Sequence, residues 1–334
     1  MQIDSVIRAL ADPTRLRIMR LVARMELAVG ELAQVLGQSQ PRVSRHIRIL
    51  SDAGLAARRR EGAWVFVYNA LPLSSNDRTG ICHAVIALLA AAEQHDESFA
   101  AQCAADRRRL SAIRSAREEA AARYFSDHAE EWDRLRSLHS DDTAVETALN
   151  LALGEGPFGY VLDIGTGTGR VAELLSDRAA HVTGLDKSPD MLRLARARLQ
   201  NLSADKFDLV QGDFTALPFD DCAFDTVTLH QVLHFALSPE DVLAEAARVT
   251  RGGGRIVITD FAPHDREELR RLHAHSRLGF GEDELNDALS DHGFAPDPVQ
   301  LVPGSELTIA IWSGTRKANA DSPPTPENNK EKAL

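Results

Sequence analysis

The stretch Val161–Arg170, read V-L-D-I-G-T-G-T-G-R, restricts what this chain can fold into more than any other. An apolar run ends in three glycines at alternate positions, Gly165, Gly167 and Gly169. An apolar helical pattern follows at Val171, Leu174 and Leu175. That order is strand, tight glycine turn, helix start. Glycine lets the backbone approach a ligand closely, and the first N–H groups of a helix lack intrahelical partners. A second short apolar run, His181–Leu185, closes on Asp186, 21 positions beyond Gly165, where a carboxylate suits ribose hydroxyls. On these residues alone the ligand stays open. Gly167-x-Gly169-x-x-Ala172 also fits a dinucleotide fingerprint, so NAD fits as well as another nucleotide-type ligand.

The 334 residues predict two or three domains. No apolar run approaches the roughly 20 residues of a membrane span, and the opening M-Q-I-D-S has no signal-peptide pattern. Cys82, Cys103 and Cys222 lie too far apart for a disulfide framework or a metal knuckle. A reducing, cytoplasmic setting without membrane or metal is therefore expected. Charge is distributed unevenly. Residues 1–70 hold 11 Arg, no Lys and 6 acidic residues, a net +5, although the whole chain is −11. A basic first domain on an acidic body predicts that only the N-terminus meets a polyanion.

Residues 1–75 read as that polyanion-binding module. Asp12-Pro13 places a capping carboxylate before a proline that opens a helix. A short helix over Val29–Leu36 is broken by Gly37, and Ser39-Gln40-Pro41 opens another with Val43, His46, Ile47 and Leu50 inward. Its other face shows Ser39, Gln40, Arg42, Ser44, Arg45 and Arg48. Two helices joined by a glycine turn, the second rich in Arg, Gln and Ser, make a helix-turn-helix. Arg pairs bidentately with guanine and Gln with adenine. Leu55–Arg60 and Trp64–Asn69 then read as a β-hairpin, a wing that places Arg58, Arg59 and Arg60 for phosphates.

This order, beginning A-L-A-D-P-T-R-L-R-I, resembles the ArsR-type winged-helix repressors over about residues 3–75. The resemblance implies a homodimer on a palindromic double-stranded operator, with flanking helices as the seam. Many members of that family sense metals through Cys-x-Cys. The matching positions here, Ala28 and Gly30, cannot ligate, so the effector must be read elsewhere.

Residues 76–122 are expected to form a helical linker and dimer seam, running from Ile81 to about Arg123. The adjacent pair Cys82-His83 points about 100° apart on a helix and makes a poor ligand set. Tyr124, Phe125 and Trp132 concentrate aromatic residues in a chain that is only 5% aromatic. They are expected either to pack a helix or to form a lid, and they resemble the segment preceding the core of ubiquinone-biosynthesis-type methyltransferases.

From residue 155 to 315, strand-like and helical runs alternate, which predicts a mainly parallel sheet with its ligand at the strand C-termini. The pattern resembles a class I S-adenosylmethionine methyltransferase, a doubly wound, Rossmann-like α/β fold, here over 123–315 with the lid. The resemblance implies several roles. Asp163, Gly165, Gly167 and Gly169 match the motif that cradles the methionine part. Asp186, with Lys187 beside it, matches the ribose carboxylate. Asp213 and Phe214 match the adenine-contacting motif. Phe224-Asp225 and His230–His234 match the motif facing the transferring methyl. His230 and His234 are thus the catalytic candidates, and His230 also a cofactor contact. Asp260 and His264 are expected near an acceptor. Residues 316–334, with Pro323-Pro324-Thr325-Pro326, read as a disordered tail.

The whole predicts an α+β winged helix-turn-helix domain followed by a class I methyltransferase domain. The function expected is a DNA-binding regulator, a repressor, whose second domain binds S-adenosylmethionine or S-adenosylhomocysteine as effector. The alternative is an active small-molecule methyltransferase that also regulates its own operon.

Overall fold

The computed structural model of this protein describes residues 3–23, 26–61, 63–70, 81–132, 142–203 and 205–318. The expected break at Ser74–Asp77, the side chains of Cys82 and His83, the lid segment beyond Trp132 and most of the expected tail lie outside them. Arg316, where that tail was expected to begin, still belongs to the last strand and donates to the His292 carbonyl at 2.6 Å.

The head folds in the order α1 (Ile3–Leu10), α2 (Pro13–Val22), β1 (Leu27–Ala28), α3 (Val29–Leu36), α4 (Gln40–Asp52), β2 (Ala56–Glu61) and β3 (Trp64–Asn69). Asp12 Oδ1 accepts from the Thr14 and Arg15 N–H groups at 2.8 and 3.1 Å, the expected cap of α2. Gly37 ends α3 in the left-handed region (φ 65°) and redirects the chain into α4. Ile18, Leu32, Val43, Ile47, Leu50 and Val67 close one core beneath α4 and the hairpin.

The linker is two helices rather than one. Asp96 separates α5 (Ile81–His95) from α6 (Glu97–His128), capping α6 through the Phe99 N–H at 3.0 Å. Both fold back on the head. Val85, Leu89 and Leu110 enter its core, and Arg17 grips buried Asp106 with two contacts of 2.6 Å. The aromatic lid residues Tyr124 and Phe125 are the end of α6 itself.

The second domain runs α7 (Asp142–Leu153), β4 (Gly159–Ile164), α8 (Arg170–Leu175), β5 (Ala179–Asp186), α9 (Pro189–Leu199), β6 (Phe207–Gln211), β7 (Phe224–His230), α10 (Pro239–Val249) and β8 (Thr250–Phe261). It ends with α11 (Glu267–Leu272), α12 (Glu282–Asp291), β9 (Phe294–Pro296), β10 (Gln300–Pro303) and β11 (Thr308–Arg316). The sheet order is β10-β11-β8-β7-β4-β5-β6, with β9 beside β11. Strands β4 to β8 are parallel, and β11 is antiparallel to β8. Alternation along β8 divides its side chains. Ile256 and Ile258 enter one core layer and Val257 the other, so the strand is buried on both faces. Three successive glycines read as a turn, yet Gly252–Gly254 lie within β8 as an irregularity. Phe224 pairs with Thr250, yet Thr226 pairs with Arg255.

Candidate functional site

A cavity of about 460 Å³ opens at the C-terminal ends of β4, β5 and β7. Its floor is the loop from Asp163 to Thr168, its sides are Asp186–Met191, Phe214 and His230–Val232, and its roof is Phe125 and Trp132 with Phe235. The glycines are required here. A Cβ on Gly165 (φ 70°) would stand 2.3 Å from Val232 Cγ2, and one on Gly169 (φ 80°) 3.1 Å from Ala195 Cβ. Asp186 Oδ2 accepts from the Gly167 N–H at 2.9 Å and Oδ1 from the Ser188 N–H at 2.8 Å, so the carboxylate is fixed at the loop. Burial pushes its carboxyl up. Burial also pushes Asp163 up to about 6, against hydrogen bonds from Thr166 and Thr228 that pull the other way.

The expected cofactor residues separate into two groups. Asp163, Gly165, Gly167, Asp186, Lys187, Phe214 and His230 line the cavity, and Gly169 anchors its loop against α9. Asp213 turns away. Its carboxylate takes Lys187 Nζ at 2.9 Å and the Thr215 N–H and hydroxyl at 2.9 and 2.7 Å. Asp225, expected beside the methyl, sits at the opposite end of β7 and accepts from the Tyr160 N–H at 2.8 Å. His234 is a core residue. It is 2% exposed, and its Nδ1 and Asp260 Oδ1 are 2.7 Å apart. The sequence could not show this, because His234 sits in a short turn after β7 and its partner is on β8. His264 lies off the cavity too, and burial lowers it to about 4.

Gln231 lies inside the matched segment His230–His234, and nothing in the sequence singles it out there. It is 6% exposed, lines the cavity, and neither amide atom has a hydrogen-bond partner among the described residues. Its φ of 51° is rare for a side chain other than glycine. A buried amide without partners costs about 1–3 kcal/mol, so a ligand with polar groups fits this wall. Phe125, at the end of α6, and Trp132 pack over the cavity. Phe125 packs edge-on to Phe235 at 4.8 Å and to Trp132 at 5.3 Å.

On the head, Ser39, Gln40, Arg42, Ser44, Arg45 and Arg48 are exposed along α4. The wing is different. Successive residues of a strand face opposite ways. Arg58 and Arg60 are exposed, whereas Arg59 and Glu61 turn to the second domain. Arg59 donates to Glu284 at 2.8 Å and to Glu26 at 2.6 Å, so its expected phosphate contact is replaced by carboxylates of this chain.

Glu61 is the residue around which the domains meet. It is 8% exposed and accepts from Arg270 Nη2 at 2.7 Å, Arg277 Nε at 2.9 Å and the Leu278 N–H at 2.5 Å. Burial pushes its carboxyl up, but Arg277, the Leu278 N–H, Arg270 and Arg59 outweigh that and hold it below the ordinary glutamate range. The same segment is tied to the cavity wall. The Ser276 and Arg277 N–H groups donate to the His234 carbonyl at 2.9 and 3.0 Å, and the Ser276 hydroxyl donates to the Phe235 carbonyl at 3.0 Å.

Comparison with known proteins matches both halves. The family described as bacterial regulatory protein, arsR family, matches residues 12–58, and the family described as methyltransferase domain matches residues 162–258. The demethylmenaquinone methyltransferase of Thermus thermophilus is 32% identical over 197 residues, which cover 57% of this chain and 89% of that protein. That of Clavibacter sepedonicus is 36% identical over 140 residues, 41% of this chain and 56% of that protein, so little more than half its length is spanned. A solved S-adenosylmethionine-dependent methyltransferase of Thermotoga maritima is 24% identical, with a TM-score of 0.48, covering 58% of this chain and 99% of that one.

The chain belongs to the class I S-adenosylmethionine-dependent methyltransferases, in the branch of ubiquinone- and menaquinone-type enzymes. Ahead of that domain it carries an arsR-family helix-turn-helix, and its cofactor is S-adenosylmethionine or S-adenosylhomocysteine. No helix among the described residues is long and apolar enough to cross a membrane.

Proposed function

We propose that the protein is a DNA-binding transcriptional regulator whose methyltransferase domain senses S-adenosylmethionine or S-adenosylhomocysteine. The observation that carries this reading is the seat of Glu61. A carboxylate on the wing is held by a segment whose backbone is bonded to the wall of the cofactor cavity. A ligand that shifts Phe235 therefore bears on the wing, and it changes operator affinity as far as it prefers one domain arrangement.

In this reading Asp186 takes the ribose hydroxyls, the Gly165–Gly167 loop and Asp163 hold the methionine end, and Phe214 lies on the adenine. Gln231 supplies its amide to the ligand's polar groups. When bound, S-adenosylmethionine supplies an electrophilic methyl on its sulfonium. Arg42, Arg45 and Gln40 reach base edges, with Arg48, Arg58 and Arg60 on phosphates. The protein acts as a homodimer. Ile3 and Ile7 on α1 and Leu88 on α5 are 58%, 60% and 58% exposed, which supports a seam on these flanking helices. Specific binding to the DNA upstream of its own gene, measured with and without each nucleoside ligand, tests the proposal. A change in affinity of about five-fold or more supports it, and equal affinities at saturating ligand refute it.

The second reading, an active small-molecule methyltransferase, is favoured by the two relatives, whose names say that they methylate a demethylmenaquinone. Of the two candidate histidines only His230 faces the cavity. Transfer of a labelled methyl to any acceptor in cell extract tests this reading.

A further inference from the structure

We infer that the junction between the two domains holds a second small-molecule site, separate from the cofactor cavity. A cavity of about 350 Å³ lies there, within the size range of ligand pockets. Its walls come from three parts of the chain. The wing gives Trp64 and Phe66, α6 gives Arg114 and Tyr124, and the second domain gives Phe235 and Arg270. Phe235 also lines the cofactor cavity, so one ring divides the two spaces.

The chemistry of the walls defines the class of ligand. Four aromatic rings line the space, Trp64 and Phe66 with the Arg270 guanidinium 4.9 and 5.8 Å from their centres, and such walls take a planar ring system. The polar groups are donors in surplus. Arg270 has a side chain only 8% exposed, and its Nη atoms are taken by Ser276 and Glu61, yet its Nε makes no hydrogen bond among the described residues, the Glu267 carboxylate standing off at 3.7 Å. Arg114 forms no ion pair among the described residues and borders a further junction cavity as well. The carboxylates nearby are already engaged. Glu26 holds Arg59 at 2.6 Å, and Glu31 accepts from the Ala28 N–H at 2.8 Å. A buried guanidinium nitrogen without an acceptor is costly, and an anionic or acceptor-rich group supplies what is missing. The ligand is therefore a planar, largely apolar molecule carrying an anionic substituent. Two of its contacts would be wing residues, so its occupancy bears on the reading head independently of the cofactor.

The test uses the full chain and anilinonaphthalenesulfonate, a planar aromatic sulfonate, with S-adenosylhomocysteine at saturation. Its fluorescence titration gives an affinity for the wild type, Trp64→Ala, Arg114→Met and an Arg196→Met control on the exposed face of α9. Loss of the ring or of the cation weakens the probe about tenfold, while the control and the affinity for S-adenosylhomocysteine stay unchanged. Arg114→Met keeps the stem of the side chain and serves if Trp64→Ala loosens the wing. Equal probe affinity in all four proteins overturns the proposal. So does probe that binds only when S-adenosylhomocysteine is absent, which would place it in the cofactor cavity.

Discussion

The two arginine sets of the reading head look alike in sequence and meet opposite fates. On α4, Arg42, Arg45 and Arg48 recur at helical spacing and all stand exposed on one face. On the wing, three consecutive arginines occupy a strand, and its two-residue period sends Arg58 and Arg60 outward and Arg59 inward. The inward face is completed by Glu61, which meets Arg270 and Arg277. One set is available for DNA, and the other is half committed to the second domain. A run of like charges thus cannot be read as a single surface until the period of its element is fixed.

The most severe way to break that contrast is Glu61→Ala. It removes the carboxylate shared by two guanidiniums, 8% and 7% exposed, and leaves Arg277 to Glu284 and Arg270 to the more distant Glu267. Removing one partner of a buried ion pair costs about 3–5 kcal/mol. The junction should open, seen as faster hydrogen exchange in 270–278 and the wing. Unchanged exchange in both segments would show that the seat is not holding them. Asp186→Ala comes next. It should lower affinity for S-adenosylhomocysteine by roughly 100-fold, the worth of two hydrogen bonds to a charged acceptor. Operator affinity without ligand should stay as in the wild type.

Arg42→Ala and Arg45→Ala should each weaken operator binding by about 1–3 kcal/mol. Arg58→Ala should reduce the salt dependence of binding by about one ion, whereas Arg59→Ala should leave it unchanged. An equal effect of the two wing substitutions would contradict the split between the faces. A pH dependence of stability is expected as well. The Asp163 carboxyl is raised from 3.8 to about 6, so the folded state holds its proton where the unfolded chain has lost it. Its contribution to stability is full below the ordinary value and is lost as pH rises through about 6, at up to roughly 1.4 kcal/mol per unit. Denaturant unfolding of Asp163→Asn relative to wild type should show that slope disappear.

What could be read from the sequence follows the same division. The helix-turn-helix, the wing and the glycine loop are local, and their turn residues and periods are enough to find them. The cavity residues at the ends of β4 and β5 were legible for that reason. His234 and Asp213 were not, because a motif gives no direction to a side chain. His234 turns to Asp260, 26 positions away, and Asp213 turns to Lys187. Gln231 sat within a matched motif without standing out, since what marks it is an orphaned amide and a left-handed backbone. Glu61 was invisible for a plainer reason. Its partners lie 209 and 216 positions downstream, and only the folded chain brings them together. The long linker helix was expected to pair with a twin, but Leu89 and Leu110 found the head of their own chain first.

In the proposed function the cofactor cavity and the DNA-reading face are coupled through the Glu61 seat. Calorimetry of S-adenosylhomocysteine binding, with and without saturating operator DNA, in wild type and Glu61→Gln, tests it directly. Coupling is reciprocal, so DNA should change the wild-type ligand affinity by about five-fold or more and leave that of Glu61→Gln unchanged. An equal response in the two proteins, or none in the wild type, would contradict the account.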